Sequence, residues 1–195
     1  MAPRPRSVDD DVILDATRAV VGELGPDRLT LAEVGRRVGL TAGALVQRFG
    51  SKRGLLLASA ARSTVMVRRG FAEAEAVTQS PLAALEEVAT ASLAHIERPE
   101  EIGHGLGFVR LDVVDPDFRA LAQDHSRAVA DGTRGLLDKA VRAGELRPET
   151  DTGALSLALL IAFHGTPVVW ALRGEGRLDD FARDQLRQVL APHLI

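Results

Sequence analysis

The side chains in this chain with the clearest capacity for chemistry are cations gathered in one short stretch. Between residues 28 and 53 stand Arg28, Arg36, Arg37, Arg48, Lys52 and Arg53 against the single acid Glu33, a net charge of +5. Such a cluster neutralises phosphates. Within it, Gln47 carries the paired donor and acceptor that match an adenine edge, and Ala44 offers the small apolar surface that suits a thymine methyl. Constellations for catalysis are missing by comparison. The absence of cysteine excludes disulfides, thiolate metal sites and cysteine nucleophiles. The five histidines, His95, His104, His125, His164 and His193, lack metal-ligand spacing. Asp124-His125-Ser126 holds the residue types of a hydrolytic triad, but neighbours along a helix point in different directions. Gly103-His104-Gly105-Leu106-Gly107 is glycine-rich without a preceding strand, so it does not read as a dinucleotide loop. The expectation is a binding protein that is not an enzyme, with no cofactor and no metal.

The charge is unevenly spread. The whole 195-residue chain carries −3, yet residues 1–62 hold ten basic and seven acidic groups, and residues 63–195 hold fourteen and twenty. A basic module thus precedes an acidic body, and phosphate recognition needs only the local positive surface. The first seven residues, Met1 to Ser7, lack the apolar core of a secretory signal, which points to the cytoplasm.

Apolar residues recur three and four apart nearly throughout, and no strand-like alternation stands out, so the fold class is all-α with about nine helices. The first helix runs from about Asp9 to Leu24, buries Ile13, Ala16, Val20 and Leu24, and stops at Gly25. Thr30 and Glu33 have capping-box spacing at the start of the second, whose inner face carries Val34 and Val38 and which Gly39 ends. Thr41 caps a third helix, Ala42 to Phe49; Gly50 ends it and Ser51 caps the fourth, about Lys52 to Ala76. Further helices are expected near 81–97, 101–113, 117–143, 151–172 and 178–191. Two helices of seven or eight residues joined by Gly39-Leu40-Thr41 fit a helix-turn-helix. At about 100° per residue, Leu45 and Phe49 face inward while Gly43, Ala44 and Gln47 face out, with Arg48 beside them. A face this small can enter a major groove closely. The expected DNA-facing set is Thr30, Arg37, Thr41, Ala42, Gly43, Ala44, Gln47, Arg48 and Lys52.

The ordered strings Ile13-Leu14-Asp15-Ala16, Leu24-Gly25, Leu31 through Leu45, Phe49-Gly50-Ser51-Lys52 and Leu55-Leu56 resemble the tetracycline-repressor (TetR) family of bacterial regulators over about residues 11–57. The resemblance implies a helix-turn-helix DNA-binding domain over residues 1–50 and a helical effector-binding and dimerising domain over 51–195. It also implies a homodimer on a palindromic double-stranded DNA operator, released when a small-molecule effector binds. Four positions depart from the family. Val46 stands where a phosphate-contacting tyrosine is usual, Arg48 where histidine is frequent, Gly50 where proline is usual and Ala42 where lysine is common.

In the acidic body, residues 153–172 are the most apolar segment and long enough to span a bilayer. His164, Thr166 and Pro167 interrupt it, and no basic flank orients it, so no membrane is expected. It reads instead as a helix buried by its own domain on one side and by a second copy on the other. The last helix adds Leu178, Phe181, Leu186 and Leu190 to that interface, with Arg183 and Arg187 outward. Candidate effector-lining residues are His104, Phe108, Asp112, His125, Phe163, His164 and Trp170. Two other readings compete with a ligand-released repressor: a constitutive repressor or activator without a ligand, and a helical scaffold or enzyme without operator binding. The cationic cluster and the open face of the third helix favour DNA binding.

Overall fold

A computed structural model describes residues 8–94 and 96–195; His95 and the first seven residues lie outside that description. The described residues form nine α-helices: α1 (Asp10–Arg28), α2 (Leu31–Val38), α3 (Ala42–Phe49), α4 (Lys52–Val77), α5 (Pro81–Ala91), α6 (Pro99–Val114), α7 (Pro116–Arg142), α8 (Thr152–Arg173) and α9 (Leu178–Leu190), with a 3-10 turn at Ala191–His193. The all-α expectation and the helix order hold. The largest difference is α5, which ends at Ala91 where apolar periodicity suggested continuation to about 97.

The chain divides into two units that interleave along the sequence. One comprises residues up to Arg62 with His104–Leu121, the other Ser63–Gly103 with Ala122–Ile195. A single boundary after residue 50 does not describe this arrangement, because α4, α6 and α7 each contribute residues to both units.

In the first unit, α1 is interrupted at Gly25, whose φ of 78° and ψ of 162° are reachable without strain only by glycine. Pro26 then restarts one helical turn. The expected stop at Gly25 is therefore present, followed by a short extension. The core gathers Ile13, Val20, Leu29, Val34, Leu45, Leu55 and Phe118. Ile13 and Val20 are buried as expected, whereas Ala16 and Leu24 are only partly so. Thr17 is fully buried, and its hydroxyl donates to the Ile13 carbonyl at 2.8 Å, which makes a polar residue acceptable on that face.

In the second unit, Phe71 and Ala74 of α4, Leu85 of α5, Leu136 and Leu137 of α7, Leu155 and Leu159 of α8, and Leu186 and Leu190 of α9 form one core cluster. Leu93, Trp170, Leu178 and Ala182 form a second. The stripe Leu178, Leu186 and Leu190 of α9 is buried inside this unit, and Arg183 and Arg187 pair with Glu86 of α5. On α8, by contrast, apolar side chains stand free: Leu157 is 57% exposed, Ile161 65% and Leu172 83%. By length and composition alone α8 could cross a membrane; here its opposite face belongs to the core.

Gly132 of α7 sits against the Phe71 ring, and a methyl group there would lie 2.5 Å from ring carbon Cδ2. Phe71 is buried, so its ring must shift to admit the methyl group. Gly132→Ala is expected to destabilise the protein by about 1–3 kcal/mol despite alanine's better helix propensity. Thermal unfolding should show a lower Tm; an unchanged or higher Tm would mean that the ring yields without strain.

Candidate functional site

The short helix α3 is held at both ends and from behind. Thr41 caps its start, its hydroxyl accepting from the Ala44 N–H at 3.2 Å, and Gly39 ends α2 in the left-handed conformation. Leu45 is fully buried in the core of the first unit, with Phe49 packed against the same cluster. The outer face carries Gly43 and Gln47 exposed, Ala44 partly exposed, Ala42 half-buried and Val46 45% exposed. The inward and outward sets match the helical-wheel reading. At α2 the capping box is half formed. Thr30 accepts from the Glu33 N–H at 3.2 Å, but the Glu33 carboxylate takes Arg36 and Arg37 instead of returning to residue 30.

The cations of the 28–53 stretch are mostly engaged by acids and carbonyls of the same unit. Arg36 pairs with Glu33 at 2.6 Å. Arg37 lies against Glu23 at 2.5 Å and Glu33 at 3.4 Å. Arg48 donates to the Val8 carbonyl and lies 3.3 Å from Asp10. Lys52 donates to the Asp27 carbonyl at 2.7 Å. Arg53 bonds Asp115 and Asp117 at 2.9 and 2.8 Å. The hydrogen bond from Arg36, aided by that from Arg37, holds the Glu33 carboxyl below its ordinary range, and Arg53 does the same for Asp115. Of the expected DNA-facing residues, Thr41, Ala42, Gly43, Ala44, Gln47 and Arg48 therefore share α3 and its cap. Thr30 caps α2, Arg37 sits in a partly buried ion network, and Lys52 opens α4.

The second half of α6 and the start of α7 brace this module. His104 Nδ1 lies 2.9 Å from the Gly22 carbonyl, Arg110 pairs with Asp27 at 3.1 Å, and the Phe108 and Phe118 rings meet edge to face at 6.1 Å. Gly107 packs where any Cβ would meet the Pro26 ring at 2.8 Å. The close approach explains the last glycine of the Gly103–Gly107 run without any nucleotide.

The second unit contains a cavity lined by α4 (Val67, Phe71), α5 and the turn after it (Leu85, Val88, Ala89, Ser92, Leu93), α7 (Val129, Thr133), α8 (Leu159, Leu160, Ala162, Phe163, Thr166) and α9 (Ala182, Gln185, Leu186). Its free volume is about 80 Å³. Among the seven expected effector-lining residues it includes Phe163. His104 and Phe108 brace the first unit, and Asp112 also belongs to that unit, where partial burial pushes its carboxyl up. His125 is largely buried with Nδ1 unpartnered, and burial together with His164 pushes its imidazole below the ordinary value. His164 is exposed, its Nδ1 lying 2.9 Å from the Leu160 carbonyl, and its ring stands edge-on to Phe163. Trp170 is buried, donating to the Gly176 carbonyl at 3.1 Å. The residues that sequence reading passed over are the aliphatic lining and the hydroxyls of Thr133 and Thr166. The signal for them was slight: a threonine set on an otherwise apolar stripe.

Residues 13–59 match the family model described as bacterial regulatory proteins, tetR family. The chain is 27% identical over 153 residues, 78% of its length and 76% of the relative's, to the HTH-type transcriptional repressor AcnR of Corynebacterium diphtheriae. Its fold matches a transcriptional regulator from Saccharomonospora viridis solved in complex with choline, with a TM-score of 0.76, 17% identity, and 95% and 96% of the two chains covered. It also matches the transcriptional regulator FadR from Bacillus subtilis in complex with stearoyl-CoA, with a TM-score of 0.73, 13% identity and coverage of 94% and 98%. The likeness to the tetR family of bacterial regulatory proteins thus lies in the segment that holds α2 and α3.

Proposed function

We propose that the protein is a DNA-binding transcriptional repressor, acting in the cytoplasm, that lays α3 in the major groove of an operator and leaves it when a small molecule fills the cavity of the second unit. One observation carries the DNA reading: α3 buries Leu45 and turns outward a face of Gly43, Ala44 and Gln47. In this reading Gln47 pairs with a base edge, Ala44 lies against a thymine methyl, and Gly43 and Ala42 allow close approach. Thr30, Thr41, Arg48 and Lys52 contact phosphates. Arg37 contributes positive potential while tied to Glu23 and Glu33. In this reading residues 1–50, together with Lys52 at the start of α4, hold the DNA contacts, and the helical remainder of the chain supplies effector binding and dimerisation.

The effector reading rests on the apolar cavity, and it is supported by two structural neighbours solved with choline and with stearoyl-CoA. The AcnR relative, named a repressor, supports repression over activation. Since α4 begins with Lys52 and farther along carries the cavity residues Val67 and Phe71, one continuous helix links phosphate contact to ligand contact. The homodimer reading rests on the exposed stripe Leu157, Ile161 and Leu172, which a second α8 would cover. Two helix-turn-helix modules related by a twofold axis then require a palindromic operator.

Selection from random duplexes should yield a palindrome. On that site Gln47→Ala should relax preference at one position per half-site, costing about 1–3 kcal/mol of discrimination. Lys52→Ala should weaken all duplexes and reduce the salt slope by roughly one per subunit. Binding unaltered by either change would sink the docking model. Arg37→Ala should instead act on folding, lowering stability by on the order of 1 kcal/mol through loss of the Glu23 and Glu33 pairs. If it altered the salt slope as much as Lys52→Ala and left the Tm unmoved, Arg37 would be a phosphate contact. Sedimentation equilibrium at micromolar concentration should report a dimer, and Ile161→Glu should give a folded monomer. A wild-type monomer would exclude the α8 interface.

A further inference from the structure

The cavity lining says more about its occupant than that it is a small molecule. None of the cavity residues is ionisable. Glu86, the acid of α5 nearest in sequence to the lining residue Leu85, is taken up by Arg183 and Arg187. An ion entering the cavity would lose hydration and gain no counter-charge. An apolar body is favoured instead, and the polar features of the wall determine what it must carry.

Those features are Ser92, Thr133, Thr166 and Gln185, of which the two threonines are the buried ones. Thr133 is 5% exposed and Thr166 7%. Three other buried or half-buried threonines return their hydroxyl to a carbonyl one helical turn back: Thr17 to Ile13 at 2.8 Å, Thr78 to Ala74 at 2.7 Å and Thr90 to Glu86 at 2.9 Å. Among the described residues, Thr133 and Thr166 donate to no such carbonyl and have no side-chain partner. Nor are their oxygens sealed in packed core like the unpartnered hydroxyls of Thr64 and Thr150. Both residues line the cavity. Buried hydroxyls are nearly always hydrogen-bonded, and a hydroxyl both donates and accepts. Of the other polar lining groups, the Ser92 hydroxyl is occupied by the Ala89 carbonyl at 3.2 Å.

We propose that the cavity binds a small, uncharged, largely apolar molecule carrying a hydroxyl or carbonyl group, and that Thr133 and Thr166 hold that group. This rests on the reading of the cavity as the effector site and adds the chemistry of the effector. The free volume of about 80 Å³ keeps the ligand small unless side chains move.

The test uses the full-length protein with matched six-carbon probes at pH 7: 1-hexanol, 2-hexanone, hexanoate and hexylammonium, with cyclohexane as an apolar control. Ligand-observed NMR titrations give each Kd. The alcohol and ketone should bind at least about tenfold more tightly than either ion, since the ions lose hydration without a partner. Thr133→Val with Thr166→Val should weaken hexanol roughly fivefold and leave cyclohexane unchanged, and Thr166→Ser in the Thr133 wild-type background should retain hexanol. Equal binding of hexanoate or hexylammonium, full hexanol affinity in the valine variant, or no binding of either neutral probe would each overturn the assignment. Operator retention is scored separately in the same samples. Hexanol that saturates the cavity while DNA stays bound would defeat the effector reading and leave the ligand class standing.

Discussion

Leu45 has no solvent exposure and is the sole buried residue of α3. A helix of eight residues does not hold itself together in water, so its position must come from packing and from its caps. Leu45 enters the cluster formed by Ile13, Val20, Val34 and Leu55, which ties α3 to α1, α2 and α4 at once. Gly39 in the left-handed region and the Thr41 cap fix where the helix begins. With its placement settled from behind, the outer face needs no bulk, and Gly43, Ala44 and Gln47 leave room for a base edge. The cost of this economy is visible at Val46. It is exposed yet can offer no hydrogen bond, so the proposed docking assigns phosphate anchoring to residues at the margins of the helix.

Those marginal residues are not idle cations. Arg48 reaches Val8 and Asp10, Lys52 reaches the Asp27 carbonyl, and Arg53 is shared by Asp115 and Asp117. Exposed pairs of this kind contribute little to stability and exchange readily for another anion. They do hold long side chains near one orientation, which lowers the entropy lost when a phosphate replaces the acid. The same acids screen the module from indiscriminate polyanion binding. The apparent +5 of the segment is thus a reserve of charge, most of it already paired, and a phosphate must compete for it.

The helix-turn-helix was legible in the sequence because its determinants are local. Thr30, Gly39, Thr41, Gly50 and Ser51 act within a few residues of themselves, and the alternation of Leu45 and Phe49 with Gly43 and Gln47 needs only the helical period. Three things were not legible. The carboxylate of Glu33 had two possible partners, the residue 30 N–H or the arginines one turn on, and the charge pair won. The partners of Arg53 lie more than sixty residues away in sequence. The cavity was missed for a related reason. Histidines and aromatics drew attention as the rarest polar and ring-bearing residues of the body, yet Trp170 and His104 are used up in structural hydrogen bonds. A cavity made by Val, Leu and Ala from five helices carries no motif.

The composition of α8 follows from the number of surfaces it must satisfy. Leu155 and Leu159 enter the main core, Trp170 the second cluster, Phe163 and Thr166 the cavity wall, while Leu157, Ile161 and Leu172 remain outward. A helix that serves a core, a cavity and an exposed apolar face is apolar all round, and such a helix imitates a membrane span. Its two buried hydroxyls separate these duties. Ser156 is 3% exposed and donates to the Ala130 carbonyl at 2.9 Å, so its polarity is consumed in joining α8 to α7. Thr166 is buried nearly as deeply and spends its hydroxyl on nothing within the described protein. If polarity on this helix were only tolerated, Thr166 could return its hydroxyl to the preceding turn, as Thr17 does on α1. Instead Thr166 lines the cavity with that hydroxyl unspent, and in the proposed reading the hydroxyl serves what the cavity holds.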